Sequence, residues 1–555
     1  MEKAFVGIDV GTGSARAGIF TADGRLLGTA RRNIEMWREA GDVVEQSSDD
    51  IWAACGTATK QAVAEAGIPA EAVAGIAFDA TCSLVALDPD GGPISVSPSG
   101  EARRNVIVWM DHRAMDETRA INATGHPVLR YVGGGVSPEM EMPKLLWLKR
   151  HLPATFEGAG QFFDLVDFLT FRATGDAARS ICTVTCKWNY LAHERGWNED
   201  YLAAIGMPEF AAEGYARIGT AMVAPGAPVG GGLSAAAARD LGLLPGTPVA
   251  AGLIDAHAGG VGTLGGTTIE GDAAEPAGRL AYIMGTSACI MASTVEARFV
   301  PGVWGPYWSA MLPERWLIEG GQSTAGAGID HLIRSHAAYP EARAEAERAG
   351  LGVHDWLDRE IVEGRNSFSE AALIARDIHI LPDYLGNRSP YADPHARAVM
   401  AGLSLDETVA DLRRQYVAGL CGLSCGFADV IDALGEQGID CRTIVVSGGA
   451  SRSALVRQIL ADATSVRVVL PATGEPVLLG AAMLAAVAAG QFADLAGAMR
   501  AMSRDAEATA PTPPEIARFH EAKRDVYAAM RRLDIDARRR MAEVPESPSG
   551  SPSAS

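Results

Sequence analysis

The sequence predicts an α/β protein built of two similar halves, and three observations carry that expectation. Apolar strand patterns alternate with helical ones along most of the chain, which implies mixed sheets covered by helices. A strand, a short loop rich in glycine and hydroxyls and a second strand open the chain over residues 4–20. The same unit recurs over residues 280–292, around Gly285-Thr286-Ser287. Coincidence is the competing explanation, because Gly-Thr-Ser turns occur in many folds.

Taken in order, Ala4 to Ile8 reads as an apolar strand, Asp9 to Ser14 as a polar glycine-rich loop, and Ala15 to Phe20 as a second strand. Ala22-Asp23-Gly24-Arg25 is a hairpin turn, since Asp-Gly tolerates the positive φ such turns need, and Leu26 to Ala30 follows as a third strand. No helix follows the first loop. That argues against a dinucleotide fold, whose Gly-x-Gly-x-x-Gly loop opens a helix and would need glycine where this chain has Arg16. Gly-x-x-x-x-Gly-Lys-Ser/Thr does not occur, so a P-loop is excluded. Asp49 to Ala66 has helical periodicity, Val73 to Phe78 and Val106 to Met110 are strands, and Thr247 to Ile254 is an apolar strand ending at Asp255, before a small-residue helix through Gly262. Asp406 to Leu434 is a long helical pattern, and Arg442 to Val446 a strand running into Ser447-Gly448-Gly449-Ala450. Leu455 to Thr464 is a helix, Val466 to Leu470 a strand and Glu475 to Ala489 a helix. Ala510 to Pro514 reads as a linker, a charged helix runs to about Met541, and the Pro/Ser-rich Pro545 to Ser555 reads as disordered.

The chain has 555 residues, with 48 Lys+Arg against 68 Asp+Glu and a formal net charge of −20. That balance speaks against a broad electropositive groove for nucleic acid or anionic lipid. Eight cysteines are scattered without any Cys-x-x-Cys, and Cys182/Cys186 and Cys421/Cys425 are one helical turn apart. Buried free thiols fit this spacing better than a zinc knuckle or a disulfide framework. Met1-Glu2-Lys3 leads straight into a strand, and the longest apolar run, Pro476 to Gly490, is short and rich in Ala and Gly. Neither a leader nor a membrane span is expected, which points to the cytoplasm.

Several residues offer chemistry, each with a plainer explanation beside it. Asp9 lies beside Gly11, Thr12, Gly13 and Ser14, whose amides and hydroxyls can surround a phosphate while the carboxylate holds hydrated Mg²⁺; a capped hairpin loop explains the same residues. Gly285-Thr286-Ser287 is a second phosphate clamp or a tight turn. Gly448-Gly449-Ala450 ends a strand and opens a helix, where bare backbone meets adenosine and its phosphates or simply packs closely. Asp255 stands where strand meets helix, a place taken more often by an N-cap than by the fixed general base a sugar hydroxyl requires. His257 reads as support or packing and not as a metal ligand, since no other His lies at ligand spacing. Trp109-Met110-Asp111-His112-Arg113 reads as a strand end whose charges form a surface ion pair. Lys187, in the stretch Cys182 to Trp188, and Glu319, after the strand Trp316 to Ile318, are site groups or solvated residues at a sheet edge.

The order of these segments resembles a known family. Asp9-Val10-Gly11-Thr12-Gly13-Ser14 with Arg16, Pro143-Lys144-Leu145-Leu146-Trp147-Leu148-Lys149, Asp164 with Asp167, Gly252 to Gly262 around Asp255, Gly285-Thr286-Ser287 and Ser447-Gly448-Gly449-Ala450 look like the successive motifs of the FGGY carbohydrate kinases, over residues 4–505. The resemblance implies a duplicated two-domain α/β fold of the actin-like/hexokinase (ribonuclease H-like) ATPase type, with an interdomain cleft that closes on sugar and MgATP. Residues 1–265 would form the N-terminal domain, with the sugar site and first phosphate loop, and 266–508 the C-terminal, ATP-binding domain. A linker and helix would span 509–542 and a disordered tail 543–555. ATP and Mg²⁺ are the implied cofactors and a small sugar the implied partner; a homodimer is compatible with the family.

Phe78-Asp79-Ala80-Thr81-Cys82-Ser83-Leu84-Val85 and Trp109-x-Asp111-His112-Arg113-Ala114 look like the ribulokinase branch, in its D-ribulokinase-like form. That likeness implies Asp255 as base, Asp9 as organiser of Mg²⁺, and Gly11, Thr12, Gly13, Ser14, Arg16, Gly285, Thr286, Ser287, Gly448, Gly449, Ala450 and Ser453 around the nucleotide. Ala80, Thr81, Lys187, Asp255 and Glu319 would contact the sugar. Ser453 stands where the family usually carries an Asn near adenine, and its shorter side chain weakens the case for that contact. The implied reaction moves the γ-phosphoryl of ATP to the terminal hydroxyl of a ketopentose, D-ribulose first, giving D-ribulose 5-phosphate. L-ribulose, ribitol, xylulose or a hexulose are alternatives within the class, and a non-catalytic actin-like nucleotide switch lies outside it.

Overall fold

A computed structural model describes residues 2–39, 42–512 and 514–544. The expected tail from Pro545 to Ser555 and Pro513 of the expected linker lie outside the described residues. The elements that frame the cleft are β1 (Ala4–Gly11), β2 (Ser14–Thr21), β3 (Leu26–Asn33), α1 (Ser48–Ala66), β4 (Val73–Ala80), α2 (Ile181–Lys187), β5 (Val249–Ile254) and α3 (Asp255–Leu264) in the first half. In the second half come β6 (Arg279–Met284), β7 (Ala288–Thr294), β8 (Trp304–Trp308), β9 (Trp316–Gln322), α4 (Val409–Glu436), β10 (Thr443–Ser447), α5 (Ala454–Thr464), β11 (Arg467–Pro471), α6 (Pro476–Ala488), β12 (Asp505–Thr509) and α7 (Pro514–Ala542).

The duplication is visible in the strand order. One sheet runs β5-β4-β1-β2-β3 and the other β8-β9-β7-β6-β10-β11-β12. In each, a hairpin pairs antiparallel with a third strand on one side and parallel with two crossover strands on the other: β3-β2-β1-β4-β5 corresponds to β9-β7-β6-β10-β11. β1 is buried on both faces, as a near-continuous apolar run demands, and Asp9 is its one charged residue.

The helix after the last matching strand crosses to the opposite half. α3 follows β5 yet packs on β6, and α6 follows β11 yet packs on β1 and β4. Small residues permit this approach. A Cβ at Gly480 of α6 would lie 1.9 Å from the carbonyl oxygen of Ala258 in α3, and one at Gly7 of β1 would lie 2.1 Å from that of Leu478 in α6.

Several expectations shift. The loop foreseen over Asp9 to Ser14 shrinks to Thr12-Gly13, because the hairpin keeps pairing as far as Gly11 with Ser14. The strand foreseen over Val106 to Met110 spans only Val106–Ile107. Asp111 and Arg113 beyond it are buried, not at the surface: Arg113 pairs with Asp111 at 2.7 Å and with Glu45 at 2.8 Å. The charged C-terminal helix is not a separate appendage. Its Tyr527 and Met530 pack with Leu381 and Cys425, and Lys523 donates to the backbone oxygens of Ala375 and Ile378. All eight cysteines are free, six of them buried. Among the described residues α4, the helix foreseen over Asp406 to Leu434, and not the run Pro476 to Gly490, is the one long and apolar enough to cross a bilayer, but 78% of its most apolar window is buried inside the protein.

Candidate active site

Three parallel strands set three carboxylates at one end of the first sheet. β4 lies between β1 and β5, with Asp79 in register with Asp9 on one side and Leu253 on the other, and Ala80 facing Ile254, the residue before Asp255. Asp9 is buried, and Arg16, opposite it on β2, donates from Nε to Asp9 Oδ2 at 2.7 Å. Arg16 Nη1 also donates to Glu475 Oε2 at 2.7 Å. Glu475 immediately precedes α6, close to the place that Asp255, the first residue of α3, holds in the first half. Arg16 thus joins one carboxylate from each half.

Both oxygens of the fully buried Asp79 lack a hydrogen-bond partner among the described residues. Burial, then the Asp9 and Asp255 carboxylates, push its pKa well above the usual range. Asp255 opens α3, partly exposed, and its Oδ1 accepts from the backbone N–H of Ala256 at 2.7 Å. Its pKa rises to about 6, first through burial and then through Asp9, while the Ala256 N–H, His257 and Lys187 act in the opposite direction.

The phosphate loops are built differently. Thr12 Oγ1 accepts from the indole N–H of Trp109 at 2.9 Å and its backbone oxygen from Gln46 Nε2 at 2.7 Å, so the turn is held from behind while Gly13 stays exposed. Ser14 is buried within β2 and not in the loop. In the second half the backbone oxygen of Thr286 accepts from the N–H groups of Ala325 and Ala327, leaving Gly285 and Thr286 exposed, with Ser287 half-buried. Ile283 of β6 packs against Gly259, one turn beyond Asp255, so the start of α3 and the second loop border one cleft.

Gly448 has φ +90°, and a Cβ there would lie 2.4 Å from the oxygen of Met284, whereas the space around Gly449 is open. The strand end therefore presents bare backbone beside the β6 loop, with Ala450 half-buried next to it. The Ser453 hydroxyl accepts from the N–H of Val456 at 3.1 Å and caps α5.

Two of the residues expected at the sugar, Lys187 and Glu319, meet beside His257, two residues after Asp255. Lys187, the last residue of α2, lies 3.9 Å from Glu319 of β9, both buried, and its Nζ stands 4.7 Å from the centre of the Trp304 ring. Burial alone would raise the Glu319 carboxyl, but Lys187 and a hydrogen bond from His257 hold it well below the ordinary range. Ala80 is buried at the end of β4, and Thr81 shares its hydroxyl with Ser83 at 3.3 Å. Arg388, stacked over Trp304, pairs with Glu139 at 2.8 Å, a second tie across the cleft.

Sequence reasoning missed Asp79, Glu475, Arg388 and the surroundings of His257. Asp79 was legible as a lone charge in the apolar strand Val73–Ala80; the others depend on partners far away in the chain. His257 was set aside for want of a neighbouring histidine, yet its neighbours are thiols: the ligand atoms of Cys182, Cys186 and His257 lie within 4.8 Å of one another. An all-oxygen acidic set with an unpartnered buried carboxylate, beside two loops of exposed backbone, fits hydrated Mg²⁺ and a nucleoside triphosphate.

The sequence pattern of the FGGY family of carbohydrate kinases, N-terminal domain, matches residues 4–262, and that of its C-terminal domain matches residues 280–489. The chain belongs to this family and is a sugar kinase with the two-domain fold of the actin-like ATPases; carbohydrate kinases of this kind use ATP. It is 44% identical over 533 residues to an FGGY carbohydrate kinase domain-containing protein of Homo sapiens, covering 95% of this chain and 96% of that one. It is 36% identical over 518 residues to D-ribulokinase YDR109C of Saccharomyces cerevisiae, covering 88% and 72%. Among solved structures, xylulose kinase from Rhodospirillum rubrum superposes with a TM-score of 0.76 at 22% identity, over 95% of this chain and 98% of that one, and shares the fold.

Proposed function

We propose that the protein transfers the γ-phosphoryl of ATP to the terminal hydroxyl of a ketopentose, D-ribulose to D-ribulose 5-phosphate. The observation that carries this reading is the position of Asp255. It follows β5, in the sheet that carries Asp9 and the first loop, and lies two residues before His257, which hydrogen-bonds Glu319 of the Lys187–Glu319 pair, where an ion-paired and buried carboxylate offers directed acceptors to sugar hydroxyls. The 36% identity to D-ribulokinase YDR109C supports ribulose as the sugar.

A sugar hydroxyl is a weak nucleophile at neutral pH, so positioning and proton removal are the chain's main tasks. Lys187 donates to, and Glu319 accepts from, the hydroxyls remote from the reacting end. As the terminal oxygen bonds to the γ-phosphorus and the bond to ADP breaks, an Asp255 carboxylate oxygen takes the hydroxyl proton. A carboxylate with a pKa near 6 is ionised at neutral pH yet basic enough for that transfer. The exposed backbone at Gly13, Thr286 and Gly449 meets the phosphates, while Arg16 fixes the orientation of Asp9. Mg²⁺ held at Asp9 would supply charge neutralisation at the phosphates. Closure of the two halves excludes water, the competing acceptor.

The test is ADP release by the purified protein across pentuloses and pentitols. D-ribulose should give the highest kcat/KM; a preference for L-ribulose, xylulose or ribitol would reassign the sugar, and hydrolysis indifferent to every sugar would remove the kinase reading.

A further inference from the structure

Behind Glu319 runs a chain of buried polar groups that the phosphoryl transfer does not use. Cys182 Sγ of α2 lies 3.1 Å from His257 Nδ1 of α3, and His257 Nε2 lies 3.2 Å from Glu319 Oε2 of β9. Glu319 Oε1 in turn faces Lys187 Nζ at 3.9 Å. Cys182 and His257 are fully buried, and Glu319 and Lys187 nearly so.

The chemistry of the groups fixes the direction of the chain. A carboxylate only accepts, so His257 Nε2 carries the proton shared with Glu319, and Nδ1 meets the sulfur. Zinc between an imidazole and a thiolate in tetrahedral geometry would hold N and S about 3.5 Å apart, given bonds of about 2.0 and 2.3 Å. The separation of 3.1 Å is that of a hydrogen bond, so a proton joins them. Burial opposes charge on either group, but Cys186 and His257 beside it lower the thiol, and Cys182 and Glu319 raise the imidazole. The imidazole is thereby held as a donor towards Glu319.

We propose that Cys182 and His257 are positioning residues for the sugar site: Cys182 fixes the His257 ring, and His257 holds Glu319 Oε2 so that Oε1 is presented to Lys187 and to a sugar hydroxyl. The proposal rests on the reading of Glu319 as a sugar contact. It also joins the two halves, since Cys182 and His257 come from the first and Glu319 from the second. A hydrogen bond to a charged group is worth about 1.5–3 kcal/mol, which corresponds to roughly 10- to 100-fold in affinity.

The experiment compares the dissociation constant for D-ribulose by calorimetry, the KM for ATP, kcat and the thermal unfolding midpoint in wild type, Glu319→Gln, His257→Leu and His257→Gln, with Cys182→Ala and Cys182→Ser as a milder pair should His257→Leu fail to fold. Expected are a sugar affinity at least about 10-fold weaker in Glu319→Gln and His257→Leu at unchanged ATP KM, and substantial recovery in His257→Gln, whose amide N–H can donate to Glu319. Cys182→Ala should weaken sugar binding by a smaller factor that Cys182→Ser restores. If Glu319→Gln weakens sugar binding but His257→Leu does not, or if Gln is no better than Leu at 257, the positioning role is overturned and the sugar contact stands. A Glu319→Gln variant with wild-type sugar affinity overturns both. Parallel loss of sugar and ATP binding with a lowered unfolding midpoint in every His257 and Cys182 variant overturns the positioning role in favour of a purely structural one.

Discussion

Asp255 is where the residue-scale account is most exposed to experiment. Asp255→Asn preserves shape and the Ala256 contact but cannot take a proton, so kcat should fall by at least about 10²-fold with little change in sugar affinity. Near-wild-type kcat would remove Asp255 as base. Because the base must be ionised, kcat/KM should rise with pH through about 6 and level off above it, since Asp9 and burial lift the Asp255 pKa against His257 and Lys187. A profile flat down to pH about 4 would contradict that environment. Lys187→Ala should weaken sugar binding more than ATP binding, as its ammonium meets Glu319 and Trp304 and no phosphate loop; equal losses would count against the contact. Asp255, Lys187 and Glu319 were visible in the sequence as charges ending apolar stretches. The Cys182–His257 link was not, because residues 75 positions apart meet only through packing.

The element scale explains why the site tolerates so little backbone change. α3 and α6 cross at glycines, and Gly480→Ala would drive a methyl group to within 1.9 Å of the Ala258 carbonyl. Overpacking of this kind costs about 1–3 kcal/mol. Gly480→Ala should therefore lower stability in denaturant unfolding and also reduce turnover, because α3 carries Asp255; a variant with unchanged stability and kcat would show that the helices do not set the site. Periodicity located nearly all of the elements in this region, including the Gly252-to-Gly262 segment and the two hairpins. It overran the first loop and the strand after Val106, where a side-chain network decides the ending: Asp111 accepts from the Val44 N–H at 2.7 Å and pairs with Arg113, turning the chain. It also left the C-terminal helix apart from the body, since the contacts of Tyr527 and Lys523 lie with segments more than 100 residues away.

At the scale of the whole molecule, the two sheets share one strand order and exchange one helix each, so the cleft is a product of duplication. Its walls are tied by Arg16–Glu475, Arg388–Glu139 and His257–Glu319, one contact beside the phosphate loops and two beside the sugar pocket. The recurrence of strand, hydroxyl-bearing turn and strand was legible in the sequence; the crossed helices that make the halves face each other were not, because small residues record that packing is close without recording with what. The most direct measurement of the central claim is sugar-dependent ADP release by wild type and Asp255→Asn, with the product's phosphorylated carbon assigned by phosphorus–carbon coupling. Expected are release that depends on D-ribulose, phosphate on the terminal carbon and a loss of at least about 10²-fold in the variant. Release unaffected by sugar, phosphate on another carbon, or an equally active variant would contradict it.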